Sequence, residues 1–182
     1  NYRYGEITRH LGTVNEAPYA LTWHTDWVPD QDRPLQLMAR IRDADGVYYM
    51  TDAVDDLVLS RPNRSVVLYE PYDIPGQWQT RGSNGYQHNQ VFIPHDLNQA
   101  VAAQLILATW SGGHADSIGI NGRQVVPRVG WTHDYSYDEV PVSLDLLRLG
   151  TNELFTASRT SHHGIEVLWP GIALKVQYAG ST

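Results

Sequence analysis

At 182 residues the chain is long enough to bury one hydrophobic core, or one core and part of a second, so one or two domains are expected. Hydrophobic residues make up 42% and charged residues 18%, and the formal net charge of -7 argues against a partner gripped by its nucleic-acid backbone, which calls for a basic stripe. No segment approaches the roughly 20 apolar residues that span a bilayer, and the lack of cysteine excludes disulfides, thiolate metal ligands and a cysteine nucleophile.

In chain order the dominant pattern is alternation of apolar and polar residues, the period of a half-buried strand. Leu35, Leu37, Ala39 and Ile41 alternate with Gln36, Met38, Arg40 and Arg42, then Asp43-Ala44-Asp45-Gly46 supplies a turn before Val47-Tyr48-Tyr49-Met50-Thr51 resumes the sheet. Strand-like runs follow at 56–60, 65–69, 89–94, 103–110 and 117–120, the last closed by Asn121-Gly122, a pair that tolerates the positive φ of a tight hairpin. The final set lies at 140–144, 152–158, 164–169 and 172–178, with Trp169-Pro170-Gly171 as the turn between the last two. One short helix is expected over 95–103, capped by Asp96. Strands this evenly spaced predict an all-β sandwich or barrel. The polar step Arg61-Pro62-Asn63-Arg64 separates two strand groups, so the boundary is placed there, with 1–61 as one segment and 62–182 as the main domain.

Two families resemble parts of this pattern. Residues 17–60, with "APYALTWHTDWVPDQ" and "ARIRDADG", resemble the later strands of bacterial immunoglobulin-like modules but lack the front half of one, which implies a partial segment packed on the main domain. Residues 65–178, with "AQLILATW", "SIGINGRQV" and "LLRLGTNELFTAS", resemble galactose-binding-like jelly-roll domains of the carbohydrate-binding-module type. The resemblance implies a jelly-roll β-sandwich and a sugar ligand, although fold does not dictate function. It also places Glu166 where many such lectin modules use a late glutamate to hold structural calcium, an ion that takes six to eight oxygen ligands.

Catalytic constellations are weak by comparison. His162 and His163 are adjacent, and on a strand adjacent side chains face opposite ways, so at most one would serve a given site. Neither a His-x-x-x-His helix pair nor a G-x-S-x-G elbow is present, and the histidines read as hydrogen-bonding loop residues rather than transition-metal ligands. Carboxylates that could pair for glycoside hydrolysis sit mostly in turn-like sequence. His133 with Tyr135 and Tyr137 could exchange protons in polysaccharide β-elimination, which keeps a small lyase or glycosidase as the alternative.

Aromatic residues point to binding instead. Six Trp and eleven Tyr stand against two Phe, and Trp23, Trp27, Trp78, Tyr86, Trp131 and Tyr135 lie in Gly-, Asp-, Asn- and Ser-rich stretches. A ring beside polar groups suits the apolar faces and hydroxyl rim of a sugar. Trp78 and Trp131 are the expected stacking residues, with Arg81, Asn84, Tyr86, His133, Tyr135 and His163 completing the ligand site, and Trp110 is assigned to the core. The sequence thus predicts a non-catalytic, secreted carbohydrate-binding module, tethered to other domains of a glycan-active protein. Its partner is an oligo- or polysaccharide, with no nucleic acid and no membrane, and its only cofactor is the structural calcium at Glu166. A structural interdomain module without ligand is the third reading.

Overall fold

The computed structural model describes residues 11–180 and is all-β, with helical turns no longer than three residues. The N-terminal strands are short: β1 (Leu35–Leu37), β2 (Arg40–Arg42), β3 (Tyr48–Met50) and β4 (Val54–Leu57). Next come β5 (Arg64–Tyr69), β6 (Gln79–Thr80), β7 (Tyr86–Ile93), β8 (Ala100–Trp110) and β9 (Ser117–Ile120). The chain ends with β10 (Arg123–Val126), β11 (Tyr135–Val142), β12 (Gly150–Ala157), β13 (Ile165–Val167) and β14 (Ala173–Ala179).

Two antiparallel sheets form a β-sandwich. One has four strands in the order β10-β9-β12-β7, and the other has six, built on the long strand β8. Along one edge β8 pairs with β11 from Ala103 to Trp110, while its other edge pairs first with β14 and then, at Thr109 and Trp110, with β13. Strands β5 and β6 complete this sheet beside β14 and β13. Alternation follows directly from the pleat: Leu105 and Leu107 of β8, Val91 and Ile93 of β7, Ile118 and Ile120 of β9, and Leu174, Val176 and Tyr178 of β14 are all at most 2% exposed. Burying each such aliphatic side chain stabilises the fold by roughly 1.5–3 kcal/mol relative to leaving it in water. Asn89 ties the sandwich together, since its amide donates to the Ile172 carbonyl and accepts from the Ile172 N–H, both at 2.9 Å.

Strand β14 is buried on both faces, although its sequence alternates. Residues 26–30 lie across its outer side. Gln177 Nε2 donates to the Asp26 carbonyl at 2.7 Å, Lys175 Nζ stands 5.8 Å from the Trp27 ring, and Asp30 N–H donates to the Val66 carbonyl on neighbouring β5. Lys175 is nearly enclosed, and Glu139 of β11 neutralises it at 2.7 Å. Arg61 clasps the same segment by donating to the carbonyls of Thr25 and Val28 and to Asp30. Farther out, β1 pairs with β4 and β2 with β3. The residues before Leu11 lie outside the described residues.

Several turns follow the sequence. Asn121 and Gly122 have φ of 52° and 75°, the left-handed pair a two-residue hairpin requires, and they join β9 to β10. Asp43 Oδ1 accepts from the N–H groups of Asp45 and Val47 and so closes the β2–β3 hairpin. Gly171 at φ 105° donates to the Leu168 carbonyl, closing the Trp-Pro-Gly turn. Other expectations need correction. The strand expected over 35–42 is broken between Leu37 and Arg40, and its halves pair with different partners. The helix expected over 95–103 is only a turn over Leu97–Gln99; Asp96 caps it, but from Ala100 the backbone pairs with β14, and those ladder bonds outweigh local helix preference. The strand expected over 140–144 instead begins at Tyr135, because residues 135–139 pair with β8.

Candidate functional site

Three loops and a hairpin meet at one end of the sandwich: 111–114 after β8, 127–134 before β11, 158–164 before β13, and 81–84 after β6. Ser111 leaves β8 in the left-handed region at φ 58°, ψ 36° and starts a single turn over Gly112–His114. A Cβ on Gly112 would stand 2.5 Å from Thr109 Oγ1 and 2.6 Å from the Val129 carbonyl, so only glycine allows this turn to pack against the second loop. Backbone bonds then fasten the loops together. Ser111 N–H donates to the Asp134 carbonyl, Gly113 N–H to the Trp131 carbonyl and Gly82 N–H to the Thr160 carbonyl. Ser158 Oγ donates to the His114 carbonyl, and Ser111 Oγ accepts from the His133 N–H. His133 itself sits at φ 59°, a conformation disfavoured for a residue with a Cβ and held here by those contacts.

This framework gathers imidazoles. One ring nitrogen from each of His114, His133 and His163 lies within 4.8 Å of the other two. His133 Nε2 and His163 Nδ1 are 3.3 Å apart, and the three ring centroids are 4.8–5.1 Å from one another. His114 is partly buried, and its Nε2 is enclosed without a hydrogen-bond partner. Loss of water around the ring, then the neighbouring His162, His133, His114 and Arg81, hold the His163 pKa below the usual histidine value. The fourth ring, His162, packs edge-on against His163 at 4.5 Å. Strand geometry does not separate this adjacent pair, because both residues precede β13 in a loop. Arg81 Nη1 donates to the His162 carbonyl at 3.3 Å.

Of the residues expected at a ligand site, the fold brings Arg81, His133 and His163 together here. Trp131 stands on the loop that carries His133, 69% exposed. Asn84 shares the hairpin with Arg81 through reciprocal backbone bonds, and its side chain donates to the Gln79 carbonyl. Tyr135 is not a loop residue: it opens β11 opposite Trp110, with ring centroids 4.8 Å apart, and Trp110 is half-buried rather than central to the core. Tyr86 opens β7 on the outer face of the four-stranded sheet, stacked on Phe155 and bonded to Glu153. Burial and that carboxylate push its phenol pKa well above the ordinary range. Together with Asn84, Asp73, Ile74, Pro75, Gln87 and His88 it lines a shallow groove of about 450 Å³.

Trp78 needs the largest correction. Only 5% of it is exposed, and its Nε1 donates to Thr156 Oγ1 at 2.8 Å, so it belongs to the core and has no face to offer a sugar. Trp78 does lie outside the strands, just before β6, as its polar neighbours suggest, but its ring packs in the core cluster. Glu166 faces away from buried Ile165 and Val167 as alternation predicts, and its Oε1 accepts from Gln79 Nε2 at 2.7 Å. His114 was not singled out in sequence, since "SGGHAD" resembles any polar turn and its partners are 19 and 49 positions away.

No protein-family model and no curated protein matches the sequence. Among solved structures the chain is similar to BuGH86 in complex with neoagarooctaose, at 14% identity and TM-score 0.49, and to a glutamate-to-glutamine variant of that protein with the same ligand, at 12% and 0.49. Each alignment covers 85% of this chain and 29% of the other, so the chain spans less than a third of the length of the structures it matches. No helix among the described residues is long and apolar enough to cross a membrane.

Proposed function

We propose that this β-sandwich is a non-catalytic carbohydrate-binding module of a larger secreted glycan-active protein, and that it takes its ligand at the loop end that carries Trp131. The carrying observation is the placement of Trp131: a large ring 69% exposed on the loop that also carries His133, whose backbone is tied to the neighbouring turn through the Trp131 carbonyl. An indole face held in place this way presents apolar surface to a sugar ring at little cost in lost freedom, and the adjacent N–H groups suit its hydroxyls. Tyr86 and Asn84 at the groove on the other sheet would serve a second stretch of the same polymer. In this reading the N-terminal segment is accessory, with residues 26–30 lying across the outer side of β14 in the larger sheet.

Calorimetric titration with a panel of oligosaccharides, neoagarooctaose first among them, tests the proposal. Weak binding is expected, with a loss of about 2 kcal/mol in Trp131→Ala and a smaller loss in Arg81→Ala. Equal affinity of wild type and Trp131→Ala would remove the platform. Steady release of unsaturated products or new reducing ends by the wild type, lost in His133→Ala, would replace the binding module with the lyase or hydrolase alternative.

A further inference from the structure

We infer that His114, His133 and His163 form a binding site for a divalent transition-metal ion of the zinc class, which pins together the three loops at this end of the sandwich. Two imidazole nitrogens on a tetrahedral zinc, each about 2.0–2.1 Å from the ion, stand about 3.3–3.4 Å apart. His133 Nε2 and His163 Nδ1 are already 3.3 Å apart. The widest separation within the triad is bounded by 4.8 Å. Closing it requires a side-chain movement on the order of 1 Å, available because His133 and His163 are exposed while His114 stays anchored.

The surroundings support the assignment. His114 Nε2 is enclosed without a hydrogen-bond partner, an arrangement that costs free energy and that a cation bound at that nitrogen would relieve. Loops 111–114 and 127–134 are cross-tied by main-chain bonds, and Ser158 Oγ donates to the His114 carbonyl, so three residues far apart in sequence are preorganised without the ion. Three nitrogen donors suit zinc, cobalt(II) or nickel(II), whereas calcium and magnesium prefer oxygen. Three protein ligands also leave a fourth position open to water or to an oxygen from a ligand. Arg81 Nη1 is engaged by the His162 carbonyl. His162 packs on His163 from outside and is a neighbour, not a ligand. The inference rests on the imidazoles alone and stands whether or not a sugar binds nearby.

The test uses the tag-free 182-residue chain, stripped by chelator and titrated with ZnCl2 and CoCl2 in the absence of any carbohydrate. One equivalent of zinc is expected to bind, and cobalt is expected to give the intense visible absorption of a tetrahedral nitrogen site. His133→Ala and His163→Ala should each weaken zinc binding at least tenfold. Both residues are exposed, so these variants should keep the wild-type circular dichroism. His114→Gln should do the same, and His88→Gln, on the other sheet, should bind as the wild type does. Absence of stoichiometric zinc binding, or binding that survives both His133→Ala and His163→Ala, would overturn the assignment. A failure here leaves the oligosaccharide titration of Trp131→Ala unaffected, so the two readings fail separately.

Discussion

Replacing each of two tryptophans by alanine should have opposite consequences, and the contrast follows from burial. Trp78 is 5% exposed and packs within the main core cluster, whereas Trp131 is 69% exposed on a loop. Truncating a core tryptophan costs about 3–5 kcal/mol, since transfer free energy is lost and the cavity collapses only in part. The severed Trp78 hydrogen bond adds little, because Thr156 Oγ1 keeps Thr80 Oγ1 as a partner at 2.7 Å and is not orphaned. Trp131→Ala, by contrast, should stay within about 0.5 kcal/mol of the wild type, as surface substitutions do. Urea unfolding followed by far-ultraviolet circular dichroism, which does not depend on the mutated fluorophore, measures both. The midpoint should fall sharply for Trp78→Ala at nearly constant slope and barely move for Trp131→Ala. A shift under about 1 kcal/mol for Trp78→Ala, or equal shifts for the two, would refute the division into core and platform.

Further expectations follow from buried polar groups. Asn89→Leu should cost about 2–3 kcal/mol in the same assay, because it strands both the N–H and the carbonyl of Ile172 between the sheets; a neutral result would mean that water replaces the amide. Glu139→Gln should destabilise by about 1–3 kcal/mol by leaving Lys175 enclosed without its counter-charge, while Lys175→Met, which removes the charge itself, should cost less; the reverse order would refute the account of this pair. The calcium role that the resemblance implies for Glu166 predicts that calcium added to chelator-treated protein raises Tm through ligand linkage, and that Glu166→Gln abolishes the rise. Identical Tm values with and without calcium would make Glu166 the partner of Gln79 and nothing more.

Strands and turns were legible because their determinants are local. Alternation at Leu105, Leu107, Leu174 and Val176 marks which side chains enter the core, and Asn121-Gly122 carries its own backbone requirement, so β9, β10 and the sandwich class followed from short stretches of sequence. The Trp-Pro-Gly turn was legible for the same reason. Where pairing partners are distant, local preference misled: Asp96 does cap a turn, but strand β8 begins four residues later because β14 offers it a ladder.

What only the tertiary structure decided is which polar and aromatic residues share a place. A tryptophan among Gly, Gln and Arg reads alike whether it faces solvent or the core; Trp78 is committed inward by Thr156, 78 positions away, and Trp131 outward by the loop contacts of Gly113. Lys175 and Gln177 carry the alternation of an open face, yet residues 26–30, some 150 positions earlier, cover them. His114, His133 and His163 have no spacing that marks them as a set. Each closes a different loop, and they meet only because β8, β11 and β13 are hydrogen-bonded neighbours whose ends reach the same edge of the sandwich. Local chemistry sets the period of a strand and the φ of a turn, while the company a loop residue keeps depends on how the strands are ordered in the sheet, which no short window of sequence contains.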